Sequence, residues 1–118
     1  MAEDVARTLK DRLRADLKSA LKQTRKAEIS LLRALLAAID NAEAPAQSAG
    51  QASAMSQDFG KGAAEVGRLA LSRAQLDRLL AAECDAREDA AIELERHGQS
   101  GRADSLRAEA ATIKRYRG

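Results

Sequence analysis

The sequence contains little of the chemistry that builds catalytic or covalently linked centres. Among its 118 residues there are one cysteine, one histidine and one proline, and aromatic residues make up 2% of the chain. Because a single cysteine cannot form an internal disulfide, the chain fits a reducing compartment, and we expect a cytoplasmic protein. No apolar run approaches the roughly 18 residues of a membrane-spanning helix, so we expect no membrane association. With so few aromatic residues, the core must be built from leucine, isoleucine, valine and alanine.

Motifs for catalysis, metal binding and phosphate binding are also missing from the sequence. It has no Cys/His cluster for zinc, no GxxxxGK loop and no nucleophile elbow. His97 stands alone at the end of a predicted helix, and Cys84 lies near an apolar face without an activating histidine. We therefore expect no catalytic residue, no metal and no cofactor, and a protein that is not an enzyme on its own.

The residues that are abundant are typical of a small all-α protein. Hydrophobic residues make up 45% of the chain and charged residues 32%, as in helical proteins rich in alanine, leucine, glutamate and arginine. No segment shows the sustained alternation of a strand. The sequence therefore predicts one domain, residues 1–118, folded as a multihelical bundle of about four helices.

Helical periodicity divides the chain into a hairpin, an irregular segment and two further helices. The hairpin is predicted over 3–43, where apolar residues recur every fourth position and Thr24 is the expected N-cap of the second helix. A flexible loop is predicted over 44–67, which is rich in glycine and small polar residues. The remaining helices are predicted at about 72–97, opened by a Ser-x-x-Gln capping box, and at about 101–116.

Charge is distributed unevenly, although the formal net charge is only +2. One basic group lies around the turn of the predicted hairpin, another lies at the end of the chain, and a mostly acidic stretch lies between them. These basic residues are the RNA-binding candidates: Lys18, Lys22, Arg25 and Lys26, then Lys114, Arg115 and Arg117. Such blocks are usually solvated faces or charge partners of neighbouring helices. Docking of a polyanion is the alternative interpretation.

Three sets of polar residues fall on or beside the predicted apolar faces. Arg33 adjoins the core stripe of the second helix, either as a rim residue or as a contact for a partner. Glu83 and Arg87 have the spacing of a helical ion pair, and are either structural or part of a polar cleft shared with Arg33. The third set is a column that either joins neighbouring helices or forms a recognition edge with a stacking tyrosine: Arg102, Glu109 and Tyr116.

Four segments, taken in order, resemble the helical region of the GatB/YqeY family. They are LRADLKSALKQ (13–23), EISLLRALLAAIDNAEA (28–44), ECDAREDAA (83–91) and GRADSLRAEAATIKRY (101–116). The positions that match the family pattern are Leu32, Arg33, Asn41, Ala42, Glu43, Glu83, Arg87, Gly101, Arg102, Glu109 and Tyr116. The resemblance implies a YqeY-like N-terminal helical domain. We do not expect the tail domain of longer members, which continue beyond this tyrosine, because the sequence ends at Gly118.

This family includes stand-alone YqeY-like proteins and the C-terminal part of the B subunit of tRNA-dependent amidotransferases. The resemblance therefore implies a non-catalytic accessory module associated with tRNA or an aminoacyl-tRNA complex. One alternative is a helical adaptor that binds a protein through its acidic third helix or an exposed apolar face, without binding RNA. The other is carbon–nitrogen ligase activity of its own with glutamine as amido donor, although the family's catalytic centres belong to other domains. The oligomeric state stays open.

Overall fold

In the part of the chain that the structure describes, the apolar periodicity of the sequence is realised as four helices. The computed structural model describes residues 4–45 and 69–117. The helices are α1 (Val5–Lys22), α2 (Lys26–Glu43), α3 (Arg73–Arg96) and α4 (Ser100–Lys114). Within the described ranges no residue belongs to a strand. The predicted all-α fold of about four helices is confirmed.

The turn between α1 and α2 differs from the prediction. Thr24 is not the N-cap of α2; the N-cap is Arg25, whose side chain makes no capping hydrogen bond. Thr24 instead adopts a left-handed backbone conformation with φ of +55°. The N–H of Thr24 donates to the carbonyl of Leu21 (3.2 Å), and the N–H of Arg25 donates to that of Ala20 (3.0 Å). This is a Schellman motif, which ends α1 and reverses the chain at the position where a cap was expected.

The end of α2 follows from the one proline of the chain. Ala44, the residue before Pro45, is extended, with φ of −68° and ψ of 143°. A residue that precedes proline is pushed out of the helical region by the proline ring, so α2 stops at Glu43. Of the loop predicted over 44–67, only Ala44 and Pro45 lie within the described residues.

Helix α3 begins and ends as its sequence signals indicate. The Ser72 hydroxyl accepts from the N–H of Gln75 (3.1 Å), and the Gln75 side chain accepts from the N–H of Ser72 (2.8 Å). The expected capping box is therefore present. At the other end Gly98 has φ of +76° and occupies the left-handed position of a second Schellman motif. Helix α4 follows at once and ends at Lys114, two residues before the predicted boundary.

The helices pack as two hairpins, α1 with α2 and α3 with α4, around one aliphatic core. The largest fully buried side chains are Leu13, Leu32, Leu35, Ile39, Leu80, Cys84 and Ile113. Cys84 is 1% exposed, and its Sγ lies 3.5 Å from the carbonyl oxygen of Ala110. The thiol is a small apolar core group, as its position on the sequence suggested.

A buried ion pair, which the sequence did not reveal, fixes the first hairpin. The Lys10 ammonium donates to Glu43 (2.5 Å) and to Asp40 (3.1 Å). Lys10 is 7% exposed and Glu43 5% exposed. Burial opposes the charged form of Lys10, but the hydrogen bonds to both carboxylates outweigh it and raise the pKa of the lysine. The pair lies at the open end of the hairpin and holds the register of α1 against α2.

Candidate functional site

The basic residues around the first turn are exposed and mostly unpaired. Lys18, Lys22, Arg25 and Lys26 all lie at the surface. Arg25 forms a 3.4 Å ion pair with Glu28, in its own first helical turn. Among the described residues, the other three lysines have no ion-pair partner. Their charges are therefore available to an external anion, because neither burial nor a salt bridge holds them.

These four cations lie on two different surfaces around the turn. Lys18 and Lys22 are four residues apart on α1 and so lie on one face of that helix. Arg25 and Lys26 instead border an open cleft of about 400 Å³ between the start of α2 and the middle of α4. Two carboxylates also line this cleft, those of Glu28 and Glu109. The charges of Lys18 and Lys22 are thus less neutralised by nearby carboxylates than those of Arg25 and Lys26.

The basic residues at the end of the chain divide differently. Lys114 donates to Glu88 of α3 at 3.0 Å, and this hydrogen bond raises the pKa of the lysine. Arg115 and Arg117 are exposed, and neither has an ion-pair partner among the described residues. The carbonyl oxygen of Arg115 accepts from the Arg12 guanidinium of α1 at 3.2 Å. The charge of Lys114 is therefore compensated within the protein, whereas the charges of Arg115 and Arg117 are available to an external anion.

Tyr116 joins the two hairpins and does not offer a stacking surface. Its side chain is 8% exposed, and the Arg12 guanidinium carbon lies 4.6 Å from the ring centroid. The tyrosine hydroxyl donates to the Asp16 carboxylate at 2.5 Å. Burial and this hydrogen bond to an anion raise the pKa of Tyr116 well above its usual value. The recognition-edge interpretation of Tyr116 is wrong, because the ring is covered and its polar group is already bound.

A contact through Arg12 joins α1 to the end of α4. Arg12 reaches from α1 to Arg115 and Tyr116 directly, so α3 does not separate α1 from the end of α4 at this point. The two hairpins also differ in charge. Residues 4–45 carry nine lysines and arginines against six acids, whereas residues 69–117 carry nine of each.

The expected pair of Glu83 and Arg87 is present, and it belongs to a structural network. The Arg87 guanidinium donates to the Glu83 carboxylate at 2.8 Å and to the Glu109 carboxylate on α4 at 2.8 Å. Burial lowers the pKa of Arg87, but the two hydrogen-bonded carboxylates outweigh it and raise the value. Arg33 is exposed on α2 and forms no ion pair with these residues, so the polar cleft considered for the three residues is not formed. Arg87 instead ties α3 to α4.

The column predicted on α4 separates into three independent contacts. Arg102 is exposed and donates to the Gln99 side chain at 3.1 Å, within its own helix terminus. Glu109 binds Arg87, and Tyr116 binds Asp16. Two of the three members thus join neighbouring helices, which was the structural interpretation of the column. The partners of Glu109 and Tyr116 could not be read from the sequence, because each lies on a different helix from its partner residue.

No group of three or more histidine, cysteine, aspartate or glutamate side chains suited to a metal ion occurs within residues 4–45 and 69–117. In the same ranges no helix is long and apolar enough to cross a membrane.

Comparison with known protein-family models, with curated proteins and with solved structures gives no match to this chain. The exposed basic residues of the first hairpin are the candidate functional surface among the described residues.

Proposed function

We propose that this protein is a non-catalytic accessory module of the cytoplasm that binds RNA through the basic turn, defined as Lys18, Lys22, Arg25 and Lys26. The observation that carries the proposal is that three of these four cations have no ion-pair partner among the described residues. The resemblance of four segments to the GatB/YqeY family directs the choice of RNA to tRNA or an aminoacyl-tRNA complex.

The chemistry of the basic turn suits phosphates better than bases. Exposed lysines on long stems act as point charges that neutralise phosphates and release condensed counterions. Such contacts give affinity without sequence information. The ring of Tyr116 is covered and therefore does not offer a stacking platform of the kind that reads unpaired bases. We therefore expect recognition of the shape and charge of a folded RNA, and not of its sequence.

The end of the chain supplies a second, smaller contact in this proposal. Arg115 and Arg117 are exposed and lie on the side where Arg12 links α4 to α1. Lys114 contributes less, because its ammonium already binds Glu88. Binding should consequently be weakened by removing the two arginines and little affected by Lys114→Ala.

Fluorescence anisotropy with labelled tRNA, titrated from low to physiological salt, tests the proposal. If the four residues of the basic turn each contact a phosphate, the logarithm of the binding constant should fall against the logarithm of salt with a slope of about −3 to −4. The quadruple variant K18A/K22A/R25A/K26A should bind weakly and with a flatter slope. Absence of saturable binding at low salt would contradict the proposal and leave the protein-adaptor function in its place.

A further inference from the structure

The first hairpin has one side on which residues of both helices, Arg14, Leu21 and Arg33, are exposed. The hydrogen bond from Lys10 to Asp40 marks this side on both helices. In a helix of 3.6 residues per turn, positions four, seven and eleven residues away lie close to the same face. On α1 these are Arg14, Leu17 and Leu21; on α2, counted toward its start, they are Leu36, Arg33 and Ile29. We name this surface, together with Lys18 beside it, the hairpin seam.

The hairpin seam has an apolar floor that reaches solvent. Leu21 is 47% exposed, which makes it one of the most exposed large hydrophobic side chains among the described residues. Leu17, Ile29 and Leu36 are only partly buried against the core. The second hairpin contacts the opposite side of α1, where Asp16 binds Tyr116. The seam is thus a partly exposed apolar surface along the line where α1 and α2 meet.

The rims of the hairpin seam are positively charged. Lys18 and Arg33 are exposed and have no ion-pair partner among the described residues. Arg14 is exposed and forms only a long, 3.4 Å pair with Asp11, which lies on the same helix. At the end of the seam Asp40 binds Lys10, so its charge is already compensated. An apolar surface with cations along it and beside it is complementary to a helix that has an apolar stripe and acidic residues next to that stripe.

We infer that the hairpin seam is a docking groove for an acidic amphipathic helix of a partner protein. A third helix laid between α1 and α2 would cover the exposed part of Leu21 and place its carboxylates against Lys18 and Arg33, as in other helix-in-groove complexes. A second copy of the chain is disfavoured as the occupant, because a two-fold contact would bring the cationic rims together. The inference goes beyond RNA binding, since phosphates require the cations but not an apolar floor. It also gives a role to Arg33, whose charge no other described residue uses.

A designed peptide tests the inference. The probe is an acetylated 18-residue helix with leucine at positions i, i+3, i+4 and i+7 and glutamate beside them. A control peptide has the same composition, with its leucines distributed around the helix. Calorimetric titration should give saturable binding of the probe to the wild-type protein and at least about tenfold weaker binding of the control peptide, because the control cannot bury a continuous apolar stripe.

Substitutions then locate the binding. Leu21→Asp and Arg33→Glu should each weaken probe binding by about tenfold or more. Ile92→Asp is the matched control, because Ile92 is also 47% exposed but lies on α3, and this variant should bind as the wild type does. Equal binding of the two peptides, or equal loss in the Ile92 variant, would overturn the inference. So would a concentration-dependent dimer that Leu21→Asp abolishes, because the seam would then bind a second copy.

The same variants separate this inference from RNA binding. Leu21→Asp leaves every residue of the basic turn in place, so its affinity for tRNA should fall by less than about twofold, the effect of one added exposed negative charge. Loss of peptide binding with tRNA binding retained would support the docking groove alone. Failure of the tRNA experiment with the wild type would leave the peptide result unaffected.

Discussion

Replacing Thr24 by glycine should stabilise the protein. Thr24 and Gly98 occupy equivalent positions in the two Schellman motifs, with φ of +55° and +76°. In the left-handed region the Cβ atom of an L-residue crowds the backbone, at a cost of about 1–2 kcal/mol. Glycine loses more conformational freedom on folding, which offsets about 0.5–1 kcal/mol of that gain. With the middle of each range, the free energy of unfolding should rise by about 0.75 kcal/mol, which is about 3–5 °C in Tm for a domain of this size.

Thermal and urea unfolding, followed by far-ultraviolet circular dichroism, measure this effect. Thr24→Ala is the control for the side chain, because alanine keeps the strained φ and should change the free energy of unfolding by less than about 0.5 kcal/mol. Gly98→Ala is the mirror experiment. A Cβ at Gly98 would meet no atom within 4 Å, so only the backbone opposes it, and the free energy of unfolding should fall by about 0.5–1 kcal/mol.

The reasoning would be refuted if Thr24→Gly lowered the Tm while Gly98→Ala left it unchanged. That result would mean that the Thr24 side chain contributes more to the free energy of unfolding than its left-handed backbone conformation costs. An increase for Thr24→Ala as large as that for Thr24→Gly would also refute it, because alanine does not relieve the left-handed conformation.

Three further substitutions test the polar contacts of the fold. Lys10→Met should lower the free energy of unfolding by about 3 kcal/mol, because it leaves the buried Glu43 carboxylate without its ammonium partner. In chemical denaturation, the free energy of unfolding of the double variant K10M/E43L should fall by less than the sum of the decreases in the two single variants. Ser72→Ala should cost about 1 kcal/mol in the same assay through loss of the N-cap of α3, and a cost near zero would contradict the role of its capping box. Tyr116→Phe should cost about 1–2 kcal/mol at neutral pH through loss of the hydrogen bond to Asp16. The folded pKa of Tyr116 is raised above the unfolded value of about 10. The hydroxyl therefore stabilises the fold below pH of about 10, and this stabilisation is lost as the pH rises further. Above that pH the Tm of the wild type should fall more steeply than the Tm of Tyr116→Phe.

Local signals in the sequence predicted the features that depend on neighbouring residues. Leucines at fourth-residue spacing gave the helices, and the Ser72–Gln75 pattern gave a capping box whose two hydrogen bonds are both formed. The spacing of Glu83 and Arg87 gave an ion pair of 2.8 Å. Each of these depends on residues within one or two helical turns, where geometry is nearly independent of the rest of the fold.

The features that sequence reasoning missed depend on residues far apart in the chain. Lys10 meets Glu43 only because α1 and α2 are antiparallel, and Tyr116 meets Asp16 across 100 positions. No periodicity within one helix contains that information. The prediction for Thr24 was wrong for a different reason. Threonine is a favoured N-cap, but the backbone hydrogen bonds of the Schellman motif place Thr24 one residue before the N-cap of α2 and in the left-handed region.

We propose that the position of the positive charges, and not their number, makes the first hairpin an RNA-binding surface. The most direct test compares tRNA binding at low salt by two variants that each lose four positive charges. One variant removes the basic turn, K18A/K22A/R25A/K26A; the other removes four exposed arginines of the second hairpin, R73A/R78A/R96A/R102A. The account predicts that the first variant binds at least about tenfold more weakly than the wild type and that the second stays within about threefold of it. Equal losses in the two variants, or no binding by the wild type, would contradict it.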